Sequence, residues 1–347
     1  MTVPSRNATL DAARGLGMIL VAVGHFSDLG KQWLYCFHLP LFFVVGGLLY
    51  RDAPGSLATI ARHKLRSLLV PFYQAAAVLL VYWVAFEGRY RPSGANFPWY
   101  EGLYGLAYAG DGPHFWLRFG GAIWFLPVYF ATVMLYVVAS RVRGGTLRSP
   151  LILAMVAVGQ ALYSWHAPKL PFGVNQALVT VGWFWLGHAL QSSPVPRLLA
   201  APPRAAWLPM LWLVLLALSL LTRNTVDLYS VSFGTSVPTL FAESLPGIFL
   251  VLLTAAWLRE VRLLRVVGAA SLWILCFHQP VGRVIVKGFS IATGWSVDTI
   301  RAHPVSVVLA LLVVAVTTGL VRGAQGLATR ARAGLPPGAG AAGGLSP

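Results

Sequence analysis

The stretch 9–26 reads TLDAARGLGMILVAVGHF, and its interpretation decides the fold. It approaches the roughly 20 residues that a helix needs to cross hydrocarbon. Asp11 and Arg14 lie inside it and no small-residue cleavage site follows, so it is a poor signal peptide and is expected to be retained as a first membrane helix. Further apolar segments follow near 34–50, 67–86, 120–140, 150–165, 176–190, 205–222, 244–258, 266–282 and 304–321. Polar turns such as Arg143-Gly144-Gly145 and Ala201-Pro202-Pro203-Arg204 separate them. The pattern predicts an all-α polytopic membrane protein, a bundle of about ten transmembrane helices. Apolar residues make up 57% of the 347 positions and charged residues 10%, whereas a soluble domain carries roughly a quarter charged residues. Water is therefore not the main solvent.

The formal net charge of +16 would suggest a nucleic-acid partner in a soluble protein. Here its placement predicts a lipid bilayer and no nucleic acid. With the N-terminus inside, Arg51, Arg62, Lys64, Arg66, Arg141, Arg143, Arg148, Arg259, Arg262 and Arg265 gather on one side. The longer loops 87–119, 223–243 and 283–303 hold fewer basic residues. This asymmetry predicts both termini cytoplasmic in a multi-pass cell-membrane protein. One domain is expected over 8–322, followed by a disordered Gly/Ala/Pro-rich tail at 333–347. The 87–119 loop carries Tyr90, Phe97, Trp99, Tyr100, Tyr104, Tyr108, Phe115 and Trp116, which suit an interfacial aromatic belt or a sugar-binding lip. A composition rich in Ala, Gly, Arg, Pro and Leu and poor in Lys points to a high-GC bacterium.

Ionisable residues within spans are costly and tend to be functional. Among Asp, Glu, Lys and Arg, only Asp11 and Arg14 fall inside the expected spans, and His25 ends the same helix. Eleven residues at 100° each return to within about 20°, so Arg14 and His25 share a face at a separation of ~16 Å. One reading is a shared pathway. The structural alternatives are an arginine that snorkels to the interface and a histidine satisfied at a helix end.

Asp11-Ala12-Ala13-Arg14-Gly15 with Gly24-His25 resembles the arginine, ten-residue gap, histidine signature of the acyltransferase 3 family, in its fucose 4-O-acetylase-like branch. Phe37-His38-Leu39-Pro40-Leu41-Phe42-Phe43 is similar to its second-helix motif. Lys64-Leu65-Arg66-Ser67-Leu68-Leu69-Val70-Pro71-Phe72 is similar to the basic approach to its third helix. Ile123-Trp124-Phe125-Leu126-Pro127, Leu186-Gly187-His188 and Ile274-Leu275-Cys276-Phe277-His278-Gln279-Pro280 extend the likeness over about 8–322. Val45-Gly46-Gly47 stands where the family often has Ser-Gly.

The resemblance implies transfer of an acyl group from cytoplasmic acyl-CoA to a hydroxyl of a sugar, glycan, glycolipid or secreted natural product. Acetyl is the default donor group and succinyl an alternative, with no permanently bound cofactor. Arg14, Arg62, Lys64 and Arg66 suit the phosphates of coenzyme A. A histidine suits removal of the hydroxyl proton, so His25 is expected as general base. His38 could orient His25, hold the acceptor or shape the pocket. Asp28, Trp124, Glu243 and His278 are candidates for the acceptor side, Asp28 also for fixing the His25 tautomer. His188 is expected to be structural. The two Cys-Phe-His-x-Pro echoes, at Cys36 and Cys276, contain zinc-compatible ligands, but their His-x-Pro portions already belong to the resemblance and no metal is expected. A disulfide between the two cysteines is conceivable, and the oligomeric state is open. The rival class is a transporter or flippase of a glycan or lipid-linked substrate; paired broken helices in two related halves would mark one. A scaffold fits poorly with an arginine inside a span.

Overall fold

The computed structural model describes residues 7–52, 55–87, 99–110, 116–117, 119–142, 146–200, 207–221 and 226–333. Outside them lie most of the expected tail (from 334), Tyr90, Phe97 and Phe115 of the aromatic loop, and Arg143, one of the arginines expected on the cytoplasmic side. The described chain is helical throughout, with one isolated bridge between Asp227 and Ser232. The helices are α1 (Ala8–Phe26), α2 (Lys31–Leu49), α3 (Leu57–Phe86), α4 (Trp99–Tyr108), α5 (Gly121–Arg141), α6 (Arg148–Ser164) and α7 (Val174–Ala189). They continue with α8 (Val195–Ala200), α9 (Trp207–Leu220), α10 (Val237–Trp257), α11 (Arg262–Ala269), α12 (Ser271–Thr293), α13 (Val297–Ala302) and α14 (Val305–Ala333).

Five helices are long and apolar enough to cross a membrane: α2, α3, α5, α10 and α14. The α11–α12 pair makes a sixth if its 87° bend lies within one span. The chain is a multi-pass membrane protein on this count, below the ten spans that hydropathy suggests. The difference has a physical source: α6, α7 and α9 run only 17, 16 and 14 residues, short of a full crossing at 1.5 Å per residue. Helix α1 carries two charges. Several helices also outrun their expected ends. Helix α3 starts at Leu57, so Arg62, Lys64 and Arg66 lie on the helix rather than before it. Helix α10 starts at Val237 and takes in Glu243, and α12 runs on through Arg283 and Lys287. Asp11 and Arg14 are therefore not the only charged residues on the long helices.

Helix α1 is central, packing against α2, α10, α11, α12 and α14. Its start is set by Asn7, whose side-chain oxygen accepts from the Leu10 amide at 3.1 Å. Small residues let backbones meet. A Cβ at Gly15 would strike the Leu264 carbonyl, and one at Gly268 would strike the Asp11 carbonyl, so α1 and α11 cross backbone on backbone. Helices α2 and α7 meet in the same way at Gly47 and Gly187. Below that crossing the Tyr136 hydroxyl and the Arg148 guanidinium both reach His188 Nδ1, and Gln191 Nε2 donates to the Gly47 and Tyr50 carbonyls at 2.8 and 2.6 Å. His188 thus belongs to a polar clamp at this joint.

The His25 end of α1 is tied to α13. Arg301 Nη1 donates to the His25 carbonyl at 2.9 Å, and its Nη2 and Nε reach the Asp28 carboxylate at 2.7 and 3.3 Å. That hydrogen bond to Arg301 holds the Asp28 carboxyl below the ordinary value of 3.8. A depressed carboxylate stabilises the fold fully above its unfolded value and loses that contribution as pH falls through the folded one. Asp28→Asn is expected to lower stability by on the order of 1 kcal/mol or less, because the Asp28 carboxylate is half exposed and screened by solvent. The difference between variant and parent should be full above the ordinary carboxylate value, begin to shrink as pH falls through 3.8 and vanish only below the depressed folded value, checked by thermal unfolding in detergent across the acid range.

Candidate functional site

Four helices each contribute a stripe to two hollows set end to end inside the bundle. On α1 the stripe is Arg14, Met18, Val21 and His25, at helical spacings of four, three and four. Arg14 and Met18 line the inner hollow of about 240 Å³, Val21 and His25 the outer one of about 300 Å³. Helix α2 runs Tyr35, His38, Leu39, Phe42 and Gly46 along the same direction, α5 supplies Trp124, Phe125, Leu126 and Tyr129, and α12 supplies Leu272, Leu275, Gln279 and Arg283. Leu39, Phe125 and Leu275 line both hollows and form the neck between them.

The inner hollow is mostly apolar, and Arg14 is its one lining cation among the described residues. Its guanidinium is 3.5 Å from Asp11, and the side chain is one-third exposed. Gly46 lines the hollow opposite Tyr129, and a Cβ on Gly46 would strike the Tyr129 hydroxyl. A tyrosine oxygen therefore fills the space where a serine would project. Gly46→Ser is expected to push Tyr129 aside and to destabilise the protein by about 1–3 kcal/mol, measured by thermal unfolding of detergent-extracted protein.

The outer hollow holds the histidines. His38 and Trp124 line it with His25, and the 227–229 turn closes it with Asp227 and Tyr229. The turn is held locally, since Asp227 accepts from the Tyr229 amide at 3.0 Å and from Ser230 Oγ at 2.6 Å. Trp124 and Tyr229 face each other at 5.7 Å, with Lys169 Nζ 4.4 Å from the Tyr229 ring centre. Tyr35 stands beside both histidines, its ring centre 6.4 Å from His25 and 5.0 Å from His38.

Hydrogen bonding sets the tautomers. His38 Nδ1 lies 2.6 Å from the Leu34 carbonyl, so Nδ1 carries the proton and Nε2 the lone pair. His278 repeats this: Nδ1 lies 3.0 and 2.9 Å from the Ile274 and Leu275 carbonyls. The two Cys-Phe-His-x-Pro echoes thus share a local geometry, in which the histidine donates back into its own helix. Both cysteines are buried thiols. His278 is fully buried, its Nε2 has no hydrogen-bond partner, and its ring centre is 5.2 Å from that of His25. The His25 ring nitrogens are both 3.4 Å from the Gln279 amide nitrogen, too long for a strong bond. Gly121, at φ +57°, permits that approach, since a Cβ there would lie 2.5 Å from Gln279 Oε1.

The other candidates fall elsewhere. Asp28 binds Arg301 and supports the His25 backbone, while the neighbours of the His25 ring are Gln279, His278 and Tyr35. Glu243 is half-buried on α10 and does not line the outer hollow. Arg62 and Arg66 are exposed on α3; Lys64 is half-buried one turn before Leu68, which lines the inner hollow. Sequence reasoning missed roles for Gln279, Tyr35, Tyr129 and Arg283. Gln279 was legible as a polar residue within a quoted motif, while Tyr129 and Arg283 had no signal beyond helical spacing.

The fold and the paired hollows define a helical membrane protein with two adjoining hollows inside its bundle, one lined by Arg14 and the other by His25 and His38. The family model of an acyltransferase domain, the acyltransferase 3 family, matches residues 7–321, and the chain belongs to that family. No curated protein and no solved structure matches it.

Proposed function

We propose that the protein moves an acyl group, with acetyl the simplest case, from cytoplasmic acyl-CoA to a hydroxyl of a sugar, glycan, glycolipid or secreted natural product. The observation that carries this reading is the pair of hollows sharing Leu39, Phe125 and Leu275, with Arg14 lining one and His25 and His38 the other. A donor with a long thin arm fits the inner hollow, where Arg14 donates to oxygens of the arm. The thioester then reaches the neck and the acceptor hydroxyl meets it from the outer hollow. Trp124 and Tyr229 offer faces for a sugar ring.

In the step itself His25 takes the hydroxyl proton as the acceptor oxygen attacks the thioester carbonyl. The tetrahedral intermediate collapses, the C–S bond breaks, and the thiolate leaves with the proton from His25. His278 supports this as a positioning residue. Its buried Nε2 acceptor has no donor in the resting arrangement, a state that costs about 1–3 kcal/mol. A protonated His25 supplies a donor beside it, so the proton transfer is favoured where it is needed. His278→Ala is expected to lower kcat by about tenfold with KM little changed, and His278→Gln, which keeps an acceptor, to restore part of the loss.

The reading is tested with radiolabelled acetyl-CoA and membranes containing the protein. Label appearing covalently on an extracytoplasmic product supports it. Movement of an acceptor across the membrane without label overturns it in favour of a carrier. Mass spectrometry of surface glycans and secreted metabolites from a deletion strain then identifies the acceptor by the acyl group it lacks.

A further inference from the structure

A third hollow of about 570 Å³ opens beside the inner one, and its lining is polar. Arg262 and Arg265 of α11, Arg322 and Gln325 of α14 and Asp11 of α1 line it. Among the described residues none of the three guanidiniums has a hydrogen-bond or ion-pair partner, and the one carboxylate present, Asp11, already pairs with Arg14 at 3.5 Å. Three like charges around one hollow repel each other, and an anion bearing several negative charges relieves that repulsion. Helix α11 holds the arrangement rigidly, because Gly268 and Gly15 lock it against α1 without intervening side chains. Ala269 lines this hollow and also the Arg14 hollow, so the two adjoin at the α11–α12 bend.

We propose that Arg262, Arg265 and Arg322 form the phosphate-binding vestibule of the donor site, holding the nucleotide phosphates of acyl-CoA while the arm passes Ala269 into the Arg14 hollow. This rests on the acyl-CoA reading, and it places the phosphates on α11 and α14 instead of on Arg62, Lys64 and Arg66 of α3. Phosphate chemistry is also offered by anionic lipid headgroups. Its shared lining at Ala269 with the Arg14 hollow favours the donor.

The test uses the full-length protein in nanodiscs of neutral lipid, with adenosine 3′,5′-bisphosphate as the binding probe. Acetyl-CoA and S-acetylpantetheine, which lacks the nucleotide, serve as paired donors. Reversing the three charges (R262E, R265E and R322E together) is expected to weaken probe binding at least tenfold and to raise KM for acetyl-CoA by about tenfold, with S-acetylpantetheine turnover unchanged. The single exposed change Arg322→Gln should give a smaller effect of the same pattern, and it keeps the test decisive if the triple variant does not fold. Equal loss with both donors overturns the proposal. So does an effect seen only in nanodiscs containing anionic lipid, or an absence of probe binding to the parent protein. If probe binding is lost only when Arg62, Lys64 and Arg66 are replaced, the phosphates belong on α3. A parent protein that transfers from neither donor yet binds the probe through these arginines overturns the transferase reading and leaves the vestibule standing. Unimpaired acetyl-CoA kinetics in the charge-reversed protein does the reverse.

Discussion

Replacing His25 with alanine is expected to lower acyl transfer by about 10²–10⁴-fold, the range that a positioned general base contributes. The protein should remain folded. His25 is only partly buried, faces the outer hollow, and makes no short side-chain hydrogen bond. The tie between α1 and α13 uses its backbone carbonyl, which alanine keeps. The loss should therefore fall on kcat; on the proposed donor route through the Arg14 hollow, which His25 does not line, acyl-CoA affinity is expected to be unchanged. Activity assayed in membranes at matched protein levels checks this, and retained activity would remove His25 from the base role. His38→Ala gives a graded contrast. His38 also lines the hollow with a free lone pair on Nε2, so it can bind the acceptor, and the expected signature is a rise in acceptor KM.

The second large effect concerns the crossing of α2 and α7. Gly47→Val or Gly187→Val is expected to cost more than about 3 kcal/mol and to leave little folded protein, since overpacking here has no flexible partner to displace. A Cβ at Gly187 would strike the Val44 carbonyl, and one at Gly47 would strike the Phe184 carbonyl and lie 2.7 Å from the His188 amide nitrogen. These are backbone atoms of two helices, so relief requires the helices to separate. Separation would also pull the Tyr136 hydroxyl from His188 and Gln191 from the Gly47 carbonyl. Gly319→Ala is the control. It lies on α14 with no neighbouring atom within 4 Å, and alanine improves helix propensity there by up to about 1 kcal/mol. Thermal unfolding of detergent-extracted protein should rank the Gly319 variant at or above the parent and both valine variants far below.

The amino-acid sequence alone determined that the chain is helical and lives in a bilayer, because apolar run length and charge depletion are local properties. It also placed Arg14 and His25 on one stripe of the first helix, since an eleven-residue spacing closes three turns whatever surrounds the helix. The motifs identified the family. What the stripe faces was decided by the tertiary structure, because Phe125, Leu275, Gln279 and His278 come from helices far along the chain, α5 and α12. The same holds for the number of helices long enough to cross, since short helices such as α7 bury Asn175, Gln176 and Thr180 inside the bundle rather than extending to the interface. The three arginines beside Ala269 read in sequence as ordinary basic positions near helix ends. Only the backbone contact at Gly15 and Gly268, which brings α11 against α1, turns them into the rim of a hollow next to Arg14.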